Sequence, residues 1–190
     1  MPRRESRPLS PGEIAIAASV FGDGLDPARV RLRRAKWFVF QPKRVTMAPD
    51  GHIWFHPESD SWSSDFARER MPMRALFVHE LVHCWQHQCG INLILRRPPF
   101  ARYRYTLQPG KPFARYGIEQ QACIVEDAYR LREGGLPAYD TAHYEAATYG
   151  ALIPFDPDLN SLGSDQNRSS RALVEGPARY DPGSLDQSPN

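Results

Sequence analysis

The residues best equipped for chemistry lie in the stretch RALFVHELVHCWQHQCG, residues 74–90, where His79, Glu80 and His83 form the pattern H-E-x-x-H. Residues four apart on a helix share a face and are separated by about 6 Å along its axis. His79 and His83 can therefore offer two imidazole nitrogens to one ion, with Glu80 one step round the helix beside it. In a catalytic zinc site, two histidines and a third protein ligand leave one position for water. The metal lowers the pKa of that water, and a neighbouring Glu takes its proton as the water attacks a carbonyl. The rest of the helix is mostly apolar, with Leu76, Phe77, Val78, Leu81, Val82 and Trp85. Two His and a Glu on a buried helix need partners, and a metal ion supplies one. The competing reading is a pair of surface histidines on an amphipathic helix.

The third ligand is expected downstream. Glu119 opens a second helical stretch, GIEQQACIVEDAYRLRE, 36 positions beyond His83, and Glu126 follows two turns along the same face. Either reaches the ion if the two helices pack side by side; otherwise both face solvent or pair with nearby Arg. His87 extends the series His79, His83, His87, but three ligands from one straight helix are poorly arranged around a tetrahedral ion. His143 is a more distant candidate. The predicted metal set is His79, His83 and Glu119, with Glu80 as the catalytic base and Zn2+ as the cofactor.

Several elements must position these groups. Ser10 is placed to cap a helix, Pro11 suits its first position, and Glu13 completes a capping box. Val30 and Leu32 alternate with Arg29, Arg31 and Arg33, the period of a strand with one wet face. RVTMAPDGHIWFHP reads as a hairpin or short strand pair turning at Asp50-Gly51. The H-E-x-x-H helix is predicted from about Met73 to Cys89, stopped by Gly90. An extended, Pro-interrupted stretch from 91 to 113 leads to the second long helix, about Gly117 to Glu133, and a shorter helix covers about Thr141 to Leu152. The expected organisation is a flexible segment over 1–8, one domain over 9–153 and a disordered tail over 154–190, rich in Ser, Pro, Asp, Asn and Gly.

With 190 residues, 41% hydrophobic and 24% charged, the chain has the length and composition of a globular domain. Its net charge of +2 is too small to point to nucleic acid or a membrane surface. Residues 155–190 hold three Arg and six Asp/Glu, a net of −3, which leaves +5 for residues 1–154. That asymmetry separates body from tail. Cys84, Cys89 and Cys123 show no paired spacing, and buried thiols in a reducing compartment are the expectation. Basic residues near the start are not followed by an apolar run, and no run approaches the roughly 18 apolar residues that span a membrane. A cytoplasmic protein is expected, exported, if at all, by a secretion system independent of a signal peptide.

HELVHCWQHQ followed by YGIEQQACIVEDA resembles the bacterial Vgr-related proteins. More distantly, it is similar to the metallopeptidase domain found near contractile injection systems, with the pattern H-E-L-x-H-x-x-Q and then an E-x-x-A helix. The resemblance runs from LSPGEIAIAASVFGD through MAPDGHIWFHP to RYRYTLQPGKPFARYGIEQQA, roughly residues 9 to 133. It implies an α+β, zincin-like fold of the gluzincin type: a small mixed sheet packed on the H-E-x-x-H helix and a second long helix. It assigns His79, His83 and Glu119 as ligands and Glu80 as base. Two departures stand out. The gap of 36 is longer than in the familiar gluzincin peptidases, and Cys123 sits where those enzymes often place an acidic residue supporting a ligand His. Asp127 or Glu126 is then the candidate for that support.

Such a site also needs a donor for the oxyanion, and Tyr103, Tyr105 and Tyr116 are candidates, though alternating tyrosines more often pack. His52 and His56 flank Trp54 in the hairpin, where a structural role outweighs a cleft-lining one. The basic strand and the segment RRPPFARYRY interleave cations with aromatics, but neither carries a nucleic-acid module. The leading expectation is a monomeric zinc peptidase acting on a peptide, protein or cell-wall peptide, with a secretion-apparatus protein as a further partner. The alternative is a secretion-system accessory protein whose zinc is structural, and a metal-free binding domain is the third reading.

Overall fold

The computed structural model of the chain describes residues 5–96, 102–140, 142 and 144–155. Among them the architecture is mixed α+β, with one small sheet and five α-helices. Strands β1 (Glu5–Pro8), β2 (Arg31–Arg34) and β3 (Ile53–Phe55) pair in that order, β1 antiparallel to β2 and β2 parallel to β3. Residues 5–8, expected to precede the folded body, are thus the edge of the sheet. Their sequence ESRP carries no apolar alternation, and backbone pairing against β2 is what orders them.

Helix α1 (Pro11–Phe21) starts as its sequence predicts. The Ser10 hydroxyl accepts from the Glu13 amide, and the Glu13 carboxylate accepts from the Ser10 amide. That carboxylate is fully buried and does more than cap. It takes both guanidinium nitrogens of Arg7 at 2.7 Å and the Phe66 amide at 2.8 Å, tying β1 and α1 to the approach of the next helix. Replacing Glu13 with Ala leaves Arg7 and two amides without their acceptor. A loss of about 3 kcal/mol in urea unfolding is expected, as for other broken buried pairs.

The β2 strand covers the second half of the alternation that begins at Arg29, and Trp37 to Phe40 beyond it turn outward and stay exposed. Its arginines are engaged locally. Arg31 donates to Ser6, Arg33 lies over Trp54, and Arg34 donates to the Pro57 carbonyl and lies over Trp62. The predicted hairpin contracts to one bridge, in which Met47 and Trp54 exchange backbone hydrogen bonds around Asp50-Gly51. Gly51 has φ of +78°, a conformation that suits glycine.

Helix α2 (Met71–Gln88) carries the H-E-x-x-H pattern, and Gly90 beyond it has φ of +82°. Phe55 of β3 stacks on Phe66, which stacks on Phe77 of α2 with ring centroids 5.1 Å apart, so an aromatic column fixes the helix to the sheet. A short helix, α3 (Leu93–Arg96), interrupts the stretch expected to be extended. Helix α4 (Ile118–Arg132) packs along α2 more extensively than any other pair of elements among the described residues. Helix α5 (Ala146–Gly150) is the core of the shorter helix predicted over about Thr141 to Leu152. The tail was expected to begin at 154, yet Phe155 is buried, 4.8 Å from Phe21 and 4.7 Å from Trp85 between ring centroids. Residues 156–190 lie outside the described residues, as does His143.

Candidate metal centre

The side-by-side packing of α2 and α4 brings His79, His83 and Glu119 together as a candidate metal-binding triad, all three buried. Glu119 Oε2 lies 3.4 Å from His79 Nε2 and 3.2 Å from His83 Nε2. Bonds of about 2.0–2.1 Å in a tetrahedral zinc site place neighbouring donors about 3.3 Å apart. Both distances from Glu119 match that separation, and the ligand atoms of the three residues all lie within 4.8 Å of one another. His87, by contrast, is exposed near Gly51, outside this cluster.

The far side of each imidazole is also held. His79 Nδ1 is 3.1 Å from Glu126 Oε2, and His83 Nδ1 is 2.8 Å from Gln86 Oε1. Both partners accept, so each Nδ1 is placed to donate to its partner, which leaves each Nε2 as the atom that faces Glu119 and would hold a metal. Glu126 is itself fixed by Arg130, which donates to Oε1 at 2.7 and 3.1 Å. Gln86 donates to the Ile118 carbonyl and to Gln121 Oε1 on α4. The residue two turns beyond Glu119 thus supports a histidine from behind, while Glu119 points into the cluster.

The electrostatics follow from this arrangement. Burial opposes charging His79, but hydrogen bonds with Cys123, Glu119 and Glu126, with the nearby Glu80 carboxylate, outweigh it and hold its pKa well above the ordinary value. Burial raises the Glu126 carboxyl, yet His79 and Arg130 together bring it below the usual range. Burial pushes the Cys123 thiol up to about 11 against the pull of His79, so it is a neutral neighbour. Asp127, the other carboxylate considered for support, serves elsewhere. It accepts from Tyr105 and from the backbone amides of Ala138, Tyr139 and Asp140, pinning the segment after α4.

No family model matches the chain. It is 42% identical over 131 residues to the type VI secretion system spike protein VgrG2b of Pseudomonas aeruginosa, a match that takes in 65% of this chain and 13% of the spike protein. The solved effector domain of Pseudomonas aeruginosa VgrG2b is similar in structure, with a TM-score of 0.64 and 36% identity, covering 77% of this chain and 83% of that domain. The chain belongs to the VgrG2b effector-domain family. It spans only about an eighth of the spike protein's length.

In this member of the VgrG2b effector-domain family, the triad forms one wall of a cleft of about 290 Å³. Glu80 lines it beside His79 and His83, and Arg44, Thr46, Tyr103 and Tyr139 are its other polar lining residues. Of the three tyrosines named from sequence, only Tyr103 reaches this cleft. Tyr105 is buried in hydrogen bonds to Asp127 and Tyr149, and the Tyr116 hydroxyl accepts from the Gln108 amide. Tyr139 was not foreseen. Its ring centroid is 6.4 Å from that of His79, and burial pushes its hydroxyl up to about 12, so it keeps its proton to donate. His56 is buried with Nδ1 accepting from the Glu58 amide, and His52 likewise stays outside the cleft.

Among the described residues, no helix is long and apolar enough to cross a membrane.

Proposed function

We propose that the chain is a zinc-dependent hydrolase of zincin type, a peptidase that cleaves peptide or peptide-like amide bonds in the service of type VI secretion. The observation that carries this reading is the convergence of His79, His83 and Glu119, with Glu119 Oε2 within 3.4 Å of both Nε2 atoms, in a cleft that Glu80 also lines. The donor set of two imidazoles and a carboxylate is the one that catalytic zinc takes. Zinc held there supplies a bound water of lowered pKa and polarises a substrate carbonyl.

The protein's own part is acid–base work and positioning. Glu80 accepts the proton that water loses as its oxygen bonds to the carbonyl carbon. It returns that proton to the leaving nitrogen as the C–N bond breaks. Tyr139 and Tyr103, which line the cleft with ring centroids 6.4 Å from that of His79, are the candidates to donate to the developing oxyanion. Arg44 brings the cationic charge at the mouth. The link to type VI secretion comes from the VgrG2b relatives, and with it a protein of the secretion apparatus as a partner.

A structural zinc holding α2 against α4 is the second reading, favoured by the burial of all three ligands. Structural sites are closed, whereas catalytic ones keep an open position, and the cleft beside the triad favours catalysis. The test is metal content by mass spectrometry on protein purified without a histidine tag. One zinc per chain is expected in the wild type, with Glu119→Ala losing it or binding it at least about 100-fold more weakly. Zinc absent from the wild type after supplementation, or retained unchanged in the variant, overturns the assignment.

A further inference from the structure

A second pocket of about 250 Å³ opens beside the candidate metal centre and shares Met47, His83 and Glu119 with its cleft as common walls. The remaining walls differ in kind. Trp37, Phe38 and Ala48 come from the segment between β2 and β3, Leu93 and Ile94 from α3, and Ile118 from the start of α4. Apart from His83 and Glu119, no charged side chain lines it among the described residues. Its rim exposes large apolar groups to water, with Phe38 43% and Ile94 63% exposed. Clustered apolar exposure at the mouth of a pocket marks a surface that a ligand covers. A cavity of about 150 Å³ lined by apolar side chains accommodates benzene, so this pocket has room for one aromatic or branched aliphatic side chain.

Resting on the metal centre proposed above, we infer that this pocket is the subsite for a large apolar side chain next to the reacting carbonyl. The substrate is then a protein segment carrying Phe, Leu or a similar residue at that place. Cell-wall stem peptides do not fit, because they are built from alanine, a glutamyl residue and a diamino acid. A carboxylate pushed into this pocket meets apolar walls and no Lys or Arg to pair it, so desolvation rejects it. An alanine methyl leaves most of the space unfilled. The polar cleft on the other side, with Arg44, Tyr103 and Tyr139, then faces the neighbouring backbone.

The test measures binding, so it does not depend on finding a cleavable substrate. Zinc-loaded full-length protein is titrated by calorimetry with the hydroxamates of glycine, glutamate, leucine and phenylalanine, each of which chelates the metal and presents one side chain. Leucine and phenylalanine hydroxamates are expected to bind about 10- to 100-fold more tightly than the glycine compound, with glutamate hydroxamate no better than glycine. Ala48→Phe, which fills the pocket, is expected to bring the phenylalanine-to-glycine ratio towards one. Because Ala48 is buried and the variant could unfold, Ile94→Glu at the exposed rim is measured alongside and is expected to lower the same ratio at least about 5-fold. Equal binding of all four hydroxamates, or a preference for glutamate, overturns the subsite while leaving the metal centre standing. Failure of every hydroxamate, glycine included, overturns the metal centre and the subsite with it.

Discussion

Replacing Glu80 with Gln is expected to lower amide hydrolysis at least about 10³-fold while zinc content and thermal midpoint stay close to wild type. General acid–base groups contribute about 10²- to 10⁴-fold. The upper part of that range applies because one carboxylate is asked both to take and to return the proton. Gln keeps the volume of a side chain that is 4% exposed on α2, so the packing around it need not move. What it removes is basicity. Glu80 is not one of the three converging donors, which is why the metal is expected to remain. The measurement pairs turnover of a peptide mixture, read by mass spectrometry, with zinc content on the same preparations. Cleavage that persists in a zinc-replete Glu80→Gln protein would place the base elsewhere. A wild type that holds zinc and cleaves nothing, with a variant indistinguishable from it, would favour the structural zinc reading.

The parts of this site that could be read in sequence are those set by local geometry. The i, i+4 spacing of His79 and His83 puts two imidazoles on one face whatever the rest of the protein does. Ser10, Pro11 and Glu13 announce a helix start because capping is decided within four residues. The supporting groups are set by how helices pack, and they were harder to see. Glu126 lies on the same face of α4 as Glu119, so spacing alone leaves both as ligands. Only the packing of α4 along α2 brings one to the Nε2 atoms and the other to Nδ1 of His79. Gln86 lies three residues after His83, a visible helical pairing, but its meaning depends on the Ile118 carbonyl and Gln121 beyond it. Tyr139 follows no period at all. It reaches the cleft because Asp127, twelve residues earlier, holds the backbone of residues 138–140 through three amides. The start of α2 at Met71 was missed because Arg70 offers no side-chain cap and Pro72 reads as a break, although proline is tolerated in a first turn.

Removing the metal is expected to change the size of the stability and also the direction of its dependence on pH. The centre gathers Glu80, Glu119 and Glu126 around two buried histidines, with the Arg130 guanidinium paired to Glu126. Without a metal, the fold meets this charge by keeping a proton on His79, whose pKa is held well above its ordinary value despite burial. A raised folded-state pKa means that the folded chain binds a proton the unfolded chain releases. That contribution is fully present below the unfolded histidine value of about 6.5, and it is lost as pH rises through the higher folded value. The metal-free protein should therefore lose stability from this group on going from pH 6 to pH 8. Zinc needs both imidazoles unprotonated, so the stabilisation it confers should grow over the same interval. At free zinc of 100 to 1,000 times the dissociation constant the gain is about 2.7 to 4.1 kcal/mol. Thermal midpoints with and without a zinc chelator at pH 6, 7 and 8 should accordingly diverge as pH rises. Curves that stay parallel would mean that His79 does not exchange its proton for the metal, and His79 would leave the ligand set.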